Sequence, residues 1–209
     1  MSKPQGFKYW HEREADDPHL DWGEGENWIN GFWESVKHPH RKLLMEKIVE
    51  QYPFDSLLEV GCSCGPNLAL IKKKFPKSNI TGVDVNYPSI LEGENRLKDI
   101  TFTWAKADNL PFTSKSFDVI LTDAVLMYVA PEEIKKTLKE LLRVAKKSLV
   151  LCEWVSASKL GEIKYYHWCR DYEALLQEMG LKTTMTNITY EDWPSKNWAD
   201  VGAIITGKL

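Results

Sequence analysis

The chain has 209 residues, 43% of them hydrophobic and 27% charged, which suits one domain with a full apolar core. A net charge of −3 and a pI near 6.0 give no overall attraction to nucleic acid or to an anionic membrane. Four cysteines, Cys62, Cys64, Cys152 and Cys169, with no secretory segment at the start, point to a reduced, cytoplasmic protein rather than a disulfide framework.

Residues 1–37 hold Trp10, Trp22, Trp28 and Trp33 with Phe7, Tyr9 and Phe32, around the polar, turn-rich stretch ADDPHLDWGEGE at 15–26. This reads as a partly helical extension to a domain spanning 38–209, and its rings must be buried against something. Two readings stay open: a simple surface cover, or a lid over a ligand site.

A helix begins at Pro39, with Leu44, Met45, Ile48 and Val49 on one side and Pro53 ending it. Residues 57–65, LLEVGCSCG, then form a short apolar strand followed by a loop of small residues between Gly61 and Gly65. Zinc at the Cys62/Cys64 pair is not expected, because the loop needs small residues there in any case. Pro66 suits the first helical position, and Leu68, Ile71 and Phe75 give the next helix its apolar stripe. The basic run 72–74 with Lys77 complements that helix's carboxyl end on a solvated face. Strand, glycine loop and helix together offer backbone N–H groups to a ligand beyond the strand's carboxyl end. The loop matches neither G-x-G-x-x-G nor G-x-x-x-x-G-K-[ST].

A second strand over 79–85 carries Asp84 at its end, where an acidic residue meets ribose hydroxyls in such folds. A short helix at 89–97, a strand at 100–105 and a turn through Asp108 and Asn109 follow. The apolar run 117–123 is a central strand, and 131–145 is a helix with Ile134, Leu138, Leu141, Leu142 and Ala145 as its stripe. Residues 147–154 make a fifth strand. The connection 155–170 carries Tyr165, Tyr166, His167, Trp168 and Arg170 at the sheet's carboxyl edge. A helix at 171–179 stops at Gly180, and 181–190 with 198–207 read as two antiparallel strands.

Glu59, Gly61 and Gly65 match the acidic residue and G-x-G-x-G of the class I S-adenosylmethionine-dependent methyltransferases, which residues 40–209 resemble. Ser63 stands at the usual middle glycine and is small enough if its backbone needs no positive φ. The resemblance implies an α/β, Rossmann-like, seven-stranded, mostly parallel sheet with helices on both faces and a C-terminal antiparallel hairpin. It implies S-adenosyl-L-methionine as cofactor, held by Glu59, Gly61, Cys62, Ser63 and Gly65 in the loop. Asp84 and Val85 would lie at the ribose, Asp108 and Asn109 at the adenine, and Thr122 near the transferred methyl. The Asn/Asp-Pro-Pro-aromatic motif of amino-group methylation is absent at 122–125. The segment is similar instead to the type 11-like, small-molecule branch, with Leu126 in place and Tyr128 for its histidine. If the acceptor is a hydroxyl, His167 is the first candidate base and His38 and His40 the second. Asp123 orients the substrate or caps a turn, and Tyr128 faces the reaction. The expectation is methyl transfer to an O- or N-nucleophile of a small molecule, by a monomer or homodimer, with no membrane or nucleic-acid partner. A non-catalytic cofactor-binding subunit and an RNA methyltransferase are the alternatives.

Overall fold

The computed structural model describes residues 6–14, 28–156, 161–164 and 167–209. Its strands are β1 Ser56–Val60, β2 Asn79–Asp84, β3 Thr101–Trp104, β4 Phe117–Asp123, β5 Ala145–Trp154, β6 Gly161–Lys164, β7 His167–Cys169, β8 Lys182–Asn187 and β9 Gly202–Lys208. Its helices are α1 Gly6–His11, α2 Trp28–Glu34, α3 His40–Val49, α4 Pro66–Lys74, α5 Tyr87–Arg96, α6 Ile134–Val144, α7 Tyr172–Glu178 and α8 Lys196–Val201.

Seven strands form one sheet in the order β3-β2-β1-β4-β5-β9-β8, parallel except where β9 runs antiparallel between β5 and β8. The chain lays β2 and β3 outward on one side of β1, then returns to place β4 on the other side. That reversal opens a crevice beyond the carboxyl ends of β1 and β4, the usual place for a ligand in such sheets.

Alternation along the strands builds a core on each face. Leu57, Val119, Leu121 and Val150 pack with Leu44, Ile48, Leu68 and Ile71 under α3 and α4. Leu58, Ile120, Leu149 and Leu151 pack with Leu138, Leu141, Tyr172 and Leu176 under α6 and α7. Pro66 is at the start of α4 as its missing N–H allows, and Gly180 takes a φ of 90° just past α7.

Three local expectations change. Val49 is 41% exposed, and the buried side of α3 is instead His40, Arg41, Leu44 and Ile48. Trp198 is not in a strand: Trp198 and Val201 form the buried side of α8, one helical turn apart, and the last strand starts at Gly202. A Cβ at Gly202 would lie 2.4 Å from the Trp198 carbonyl, so the chain turns there without a side chain. The connection after β5 contains the β6–β7 ladder, with Trp168 opposite Glu162. Trp22, Tyr165 and Tyr166 lie outside the described residues. Among the described residues no helix is long and apolar enough to cross a membrane.

Candidate active site

The loop after β1 is tied across the sheet to β2. The Gly61 and Cys62 amides both donate to the Val83 carbonyl, at 2.7 and 3.0 Å. Gly61 has a φ of 77°, and a Cβ there would meet the Val125 side chain at 2.2 Å. The residue must be glycine for the segment after β4 to cross the loop. Ser63 also adopts a positive φ, 49°, so the condition set for it from sequence is not met. The left-handed conformation costs a non-glycine residue roughly 1–2 kcal/mol. It is held by Asp84, whose Oδ2 accepts from the Ser63 amide at 2.8 Å while Oδ1 accepts from the Asn86 amide at 2.8 Å. Burial pushes the Asp84 carboxyl up, and those two hydrogen bonds oppose the shift.

A cavity of about 790 Å³ opens on this loop. Among the sequence-derived candidates it is lined by His38, His40, Gly61, Ser63, Asp84, Val85, Asp108, Asp123, Tyr128 and His167. Five others do not line it. Glu59 is buried beneath, with Oε1 accepting from Asn67 Nδ2 at 2.6 Å. Cys62 packs inward against Gly82, and Gly65 caps α4 against Phe102. Asn109 is exposed on the turn after β3, and Thr122 is buried with its hydroxyl donating to Glu153 Oε1 at 2.8 Å.

At the β3 side, Asp108 meets Lys136 Nζ at 2.7 Å and Lys106 Nζ at 3.9 Å. Burial alone would raise the Asp108 carboxyl, but the two lysines hold it below its ordinary value. Its turn is fixed from α6, where Glu140 accepts from the Leu110 amide and Arg143 Nη1 donates to the Phe112 carbonyl.

At the β4 side, Asp123 Oδ2 accepts from His40 Nε2 and from Asn67 Nδ2, each at 3.0 Å, with Arg41 Nη1 at 3.6 Å. Arg41 also donates to Asn67 Oδ1 and, through Nε, to the Ser35 carbonyl at 2.7 Å. Burial would raise Asp123, but His40, Arg41 and Asn67 together hold it well below the usual carboxylate range. Glu59, in the same network, is pushed by burial up to about 8. One of these two neighbouring carboxyls is therefore ionised at neutral pH and the other protonated. Asp123 thus faces a polar network, so turn capping does not account for it.

The floor between the two sides is the turn from Val125 through Tyr128. Glu153, fully buried on β5, accepts from the Val125, Leu126 and Met127 amides at 3.0–3.1 Å. Arg170 donates to the Leu126 carbonyl at 2.8 Å and to that of Val129. Rings close the rest. Tyr128 lies 5.3 Å from Trp10 and 4.6 Å from His167, and His167 lies 5.2 Å from Trp154. His40 stacks on Trp193 at 4.0 Å, and Trp193 on Trp198 at 3.8 Å. The Ser63 hydroxyl, Asp123 Oδ1 and Trp154 Nε1 are buried without a hydrogen-bond partner among the described residues, and all three residues line the cavity. Orphaned polar atoms around a cavity with a carboxylate at the end of β2 fit a polar nucleoside-type ligand.

Arg41, Asn67 and Glu153 were missed from sequence. Two of them left a signal: Arg41 shares the buried stripe of α3 with His40, and Glu153 interrupts an apolar strand.

A sheet with this switch point, a glycine loop after β1 and a carboxylate after β2 defines a nucleotide-type cofactor site of the α/β class. Residues 57–148 match the family described as "Methyltransferase domain". The chain is 39% identical over 80 residues to a demethylmenaquinone methyltransferase of Thermotoga maritima, covering 38% of this chain and 34% of that one. It is 32% identical over 92 residues to a malonyl-[acyl-carrier protein] O-methyltransferase of Anoxybacillus flavithermus, covering 43% and 35%. The chain thus spans about a third of these relatives' length. The plantazolicin methyltransferase BpumL, solved in complex with SAH, superposes with a TM-score of 0.65 at 16% identity, over 87% of this chain and 88% of that one, a likeness of fold. Residues 57–148 are thus similar to methyltransferase domains, and the sheet shares its fold with a solved methyltransferase.

Proposed function

We propose that the chain is a class I methyltransferase that transfers the methyl group of its cofactor, S-adenosylmethionine, to a small-molecule acceptor held in the ring-lined half of the cavity. The observation that carries this is the continuity of one cavity from Asp84 and Asp108 to His38, Trp154 and Trp193. About 790 Å³ is room for a nucleoside-sized cofactor beside a small acceptor. Asp84 would hold the ribose, Asp108 the adenine amine, and the backbone from Gly61 to Ser63 the amino-acid end. S-adenosylmethionine supplies an electrophilic methyl when bound. The protein's share is positioning, exclusion of water and handling of the acceptor's proton. The relatives named for demethylmenaquinone and malonyl-[acyl-carrier protein] methylation support an acceptor outside nucleic acid. Incubation with methyl-labelled cofactor and a small-molecule extract should place label in a low-mass product, and label confined to RNA would refute the reading. S-adenosylmethionine and S-adenosylhomocysteine should raise the melting temperature, whereas ATP and NAD should not.

In the same reading, residues 1–37 act as a cover rather than as part of the sheet domain. Gly6, Tyr9, Trp10, Arg13, Trp28 and Phe32 line the cavity. Asn86 fastens them: its Nδ2 donates to the Trp10 and Arg13 carbonyls at 2.8 and 2.7 Å, while its Oδ1 caps α5 by accepting from Ser89. Asn86→Ser keeps a good helix cap and removes both donors, weakening docking by about 1–3 kcal/mol. Proteolysis within the first 37 residues should then speed up at least about fivefold, with cofactor affinity changed by no more than a few-fold. An unaltered cleavage rate would mean that ring packing alone holds the cover.

A further inference from the structure

We propose that Trp154 selects the methyl acceptor, its indole N–H donating to a carbonyl oxygen carried by a flat, apolar molecule. This rests on the methyl-transfer reading and names the acceptor class: an aromatic hydroxyl or amine compound that also bears a ketone.

Trp154 is the last residue of β5, and only 5% of it is exposed. An indole Nε1 can donate a hydrogen bond and cannot accept one. In Trp154 that atom is buried with no partner among the described residues. A buried indole N–H is ordinarily paired, because leaving water for nothing costs the folded protein free energy. Phenylalanine would supply an apolar ring here without that cost. The strand thus keeps a polar edge that the described part of the chain does not use.

The place of that edge decides what it can serve. Trp154 follows Val150 and Cys152 on the face of the sheet under α3 and α4, and it lines the cavity. Two other cavity-lining residues hold an unpaired buried polar atom, Ser63 after β1 and Asp123 at the end of β4. Those strands pair with each other up to Val60 and Thr122, beside the loop proposed to take the cofactor's amino-acid end. Trp154 stands one strand further on, in the acceptor half. An unmet donor there is a demand on the acceptor and not on the cofactor.

The indole cannot turn away to find a partner. Its own carbonyl accepts from the Arg170 amide at 3.3 Å, and the next amide, that of Val155, donates to the Val201 carbonyl at 2.6 Å. Opposite Trp154 on β9 is Gly202, where a Cβ would strike the Trp198 ring at 2.6 Å. The missing side chain lets Trp198 lie edge-on to Trp154 at 6.2 Å, while the His167 ring lies 5.2 Å away.

The partner must bring a lone pair. Asp123, held ionised in the same cavity wall, repels a carboxylate, so a neutral carbonyl oxygen is the group that fits. Trp193, stacked on Trp198 at 3.8 Å, offers a wall for a flat body. Because Nε1 is closed from solvent, an oxygen reaches it as the surrounding rings shift, and the bond then forms with no water competing for it.

The test uses ring isomers of hydroxyacetophenone and aminoacetophenone, each paired with the ethylphenol or ethylaniline that has a methylene in place of the carbonyl. In the first arm the full chain carries 15N-labelled tryptophan, with S-adenosylhomocysteine bound. Its nine tryptophans give nine indole signals, and Trp154→Phe, or Trp154→Leu should the first fail to fold, assigns the one from Trp154. The expected result is a downfield shift of that indole proton with a ketone and none with its ethyl partner. A signal that stays in place with every ketone, or moves equally with both partners, overturns the proposal. In the second arm the same pairs are offered with methyl-labelled cofactor. The native chain should show a KM at least about fivefold lower for the ketone than for its ethyl partner. Trp154→Phe should bring the two KM values within about twofold of each other, with cofactor affinity and kcat for the ethyl compound changed by no more than about threefold. Equal KM values in the native chain, or a ketone preference that survives in Trp154→Phe, overturn it too and leave methyl transfer standing. Failure of the methyl-transfer reading itself would appear differently, as no label in any acceptor while the Trp154 signal still answers to ketones.

Discussion

Asp84→Ala is expected to weaken S-adenosylmethionine binding roughly 100-fold, about 3 kcal/mol, in a calorimetric titration. Two losses combine. The carboxylate proposed to meet the ribose hydroxyls disappears, and with it charge-assisted bonds that are worth about twice a neutral one. Its Oδ2 also holds the Ser63 amide at 2.8 Å, and Ser63 sits at a φ of 49° that it would not adopt unaided. The loop is therefore expected to relax as the ligand contact is lost. Asp84→Asn separates the two effects, since its one carbonyl oxygen can replace one acceptor but not the charge. An intermediate affinity is expected for it. Asp108→Ala should cost less than Asp84→Ala, because Asp108 is already shared between Lys136 and Lys106 at the rim. Unchanged affinity in Asp84→Ala would remove the carboxylate from the site.

The contrast between what could be read in the sequence and what could not follows from range. The placement of Asp84 at the end of β2 was legible because a strand end and a glycine loop are local patterns of fixed spacing. Likewise Gly61, whose positive φ comes with the turn, and the βα alternation that yields the sheet. The polar network was not legible, because its members come from four elements: His38 and His40 before and in α3, Glu59 in β1, Asn67 in α4 and Asp123 in β4. A one-dimensional pattern can mark His40 and Arg41 as polar residues on a buried stripe, but it cannot say which carboxylate they face. The same holds for Trp198. The runs 181–190 and 198–207 on either side of Pro194 read as strands, yet Trp198 stacks on Trp193 at an interplanar angle of 6° from the short helix α8.

Glu153→Ala is expected to be the most damaging single change to stability. The side chain is fully buried and accepts from three successive amides and the Thr122 hydroxyl. Each donor left without a partner costs about 1–3 kcal/mol, and the vacated volume adds to that. A total of about 4 kcal/mol or more is a large part of ordinary domain stability and corresponds to a fall in melting temperature of roughly 10 °C. Because Val125 packs on Gly61 and Tyr128 lines the cavity, the damage should reach the cofactor as well. Glu153→Gln retains the shape and should cost about 1–3 kcal/mol, with a pH signature. Burial raises the folded-state carboxyl to about 7, against the hydrogen bonds from Leu126, Thr122, Val125 and Met127. The folded protein thus binds a proton that the unfolded chain has released between about pH 4.5 and 7. The stability from this group is complete below its unfolded value of 4.5 and is lost as pH rises through 7. Glu59, raised to about 8, changes in the same direction, while His38, lowered to about 4, changes in the opposite one below pH 6.5. Both are shared by the native protein and Glu153→Gln, so the difference between the two isolates Glu153. Thermal melts should show the native advantage widest near pH 5 and shrinking through pH 7. An advantage that stays constant from pH 5 to 8 would mean that the carboxyl is ionised throughout and that the amides of the turn outweigh its burial.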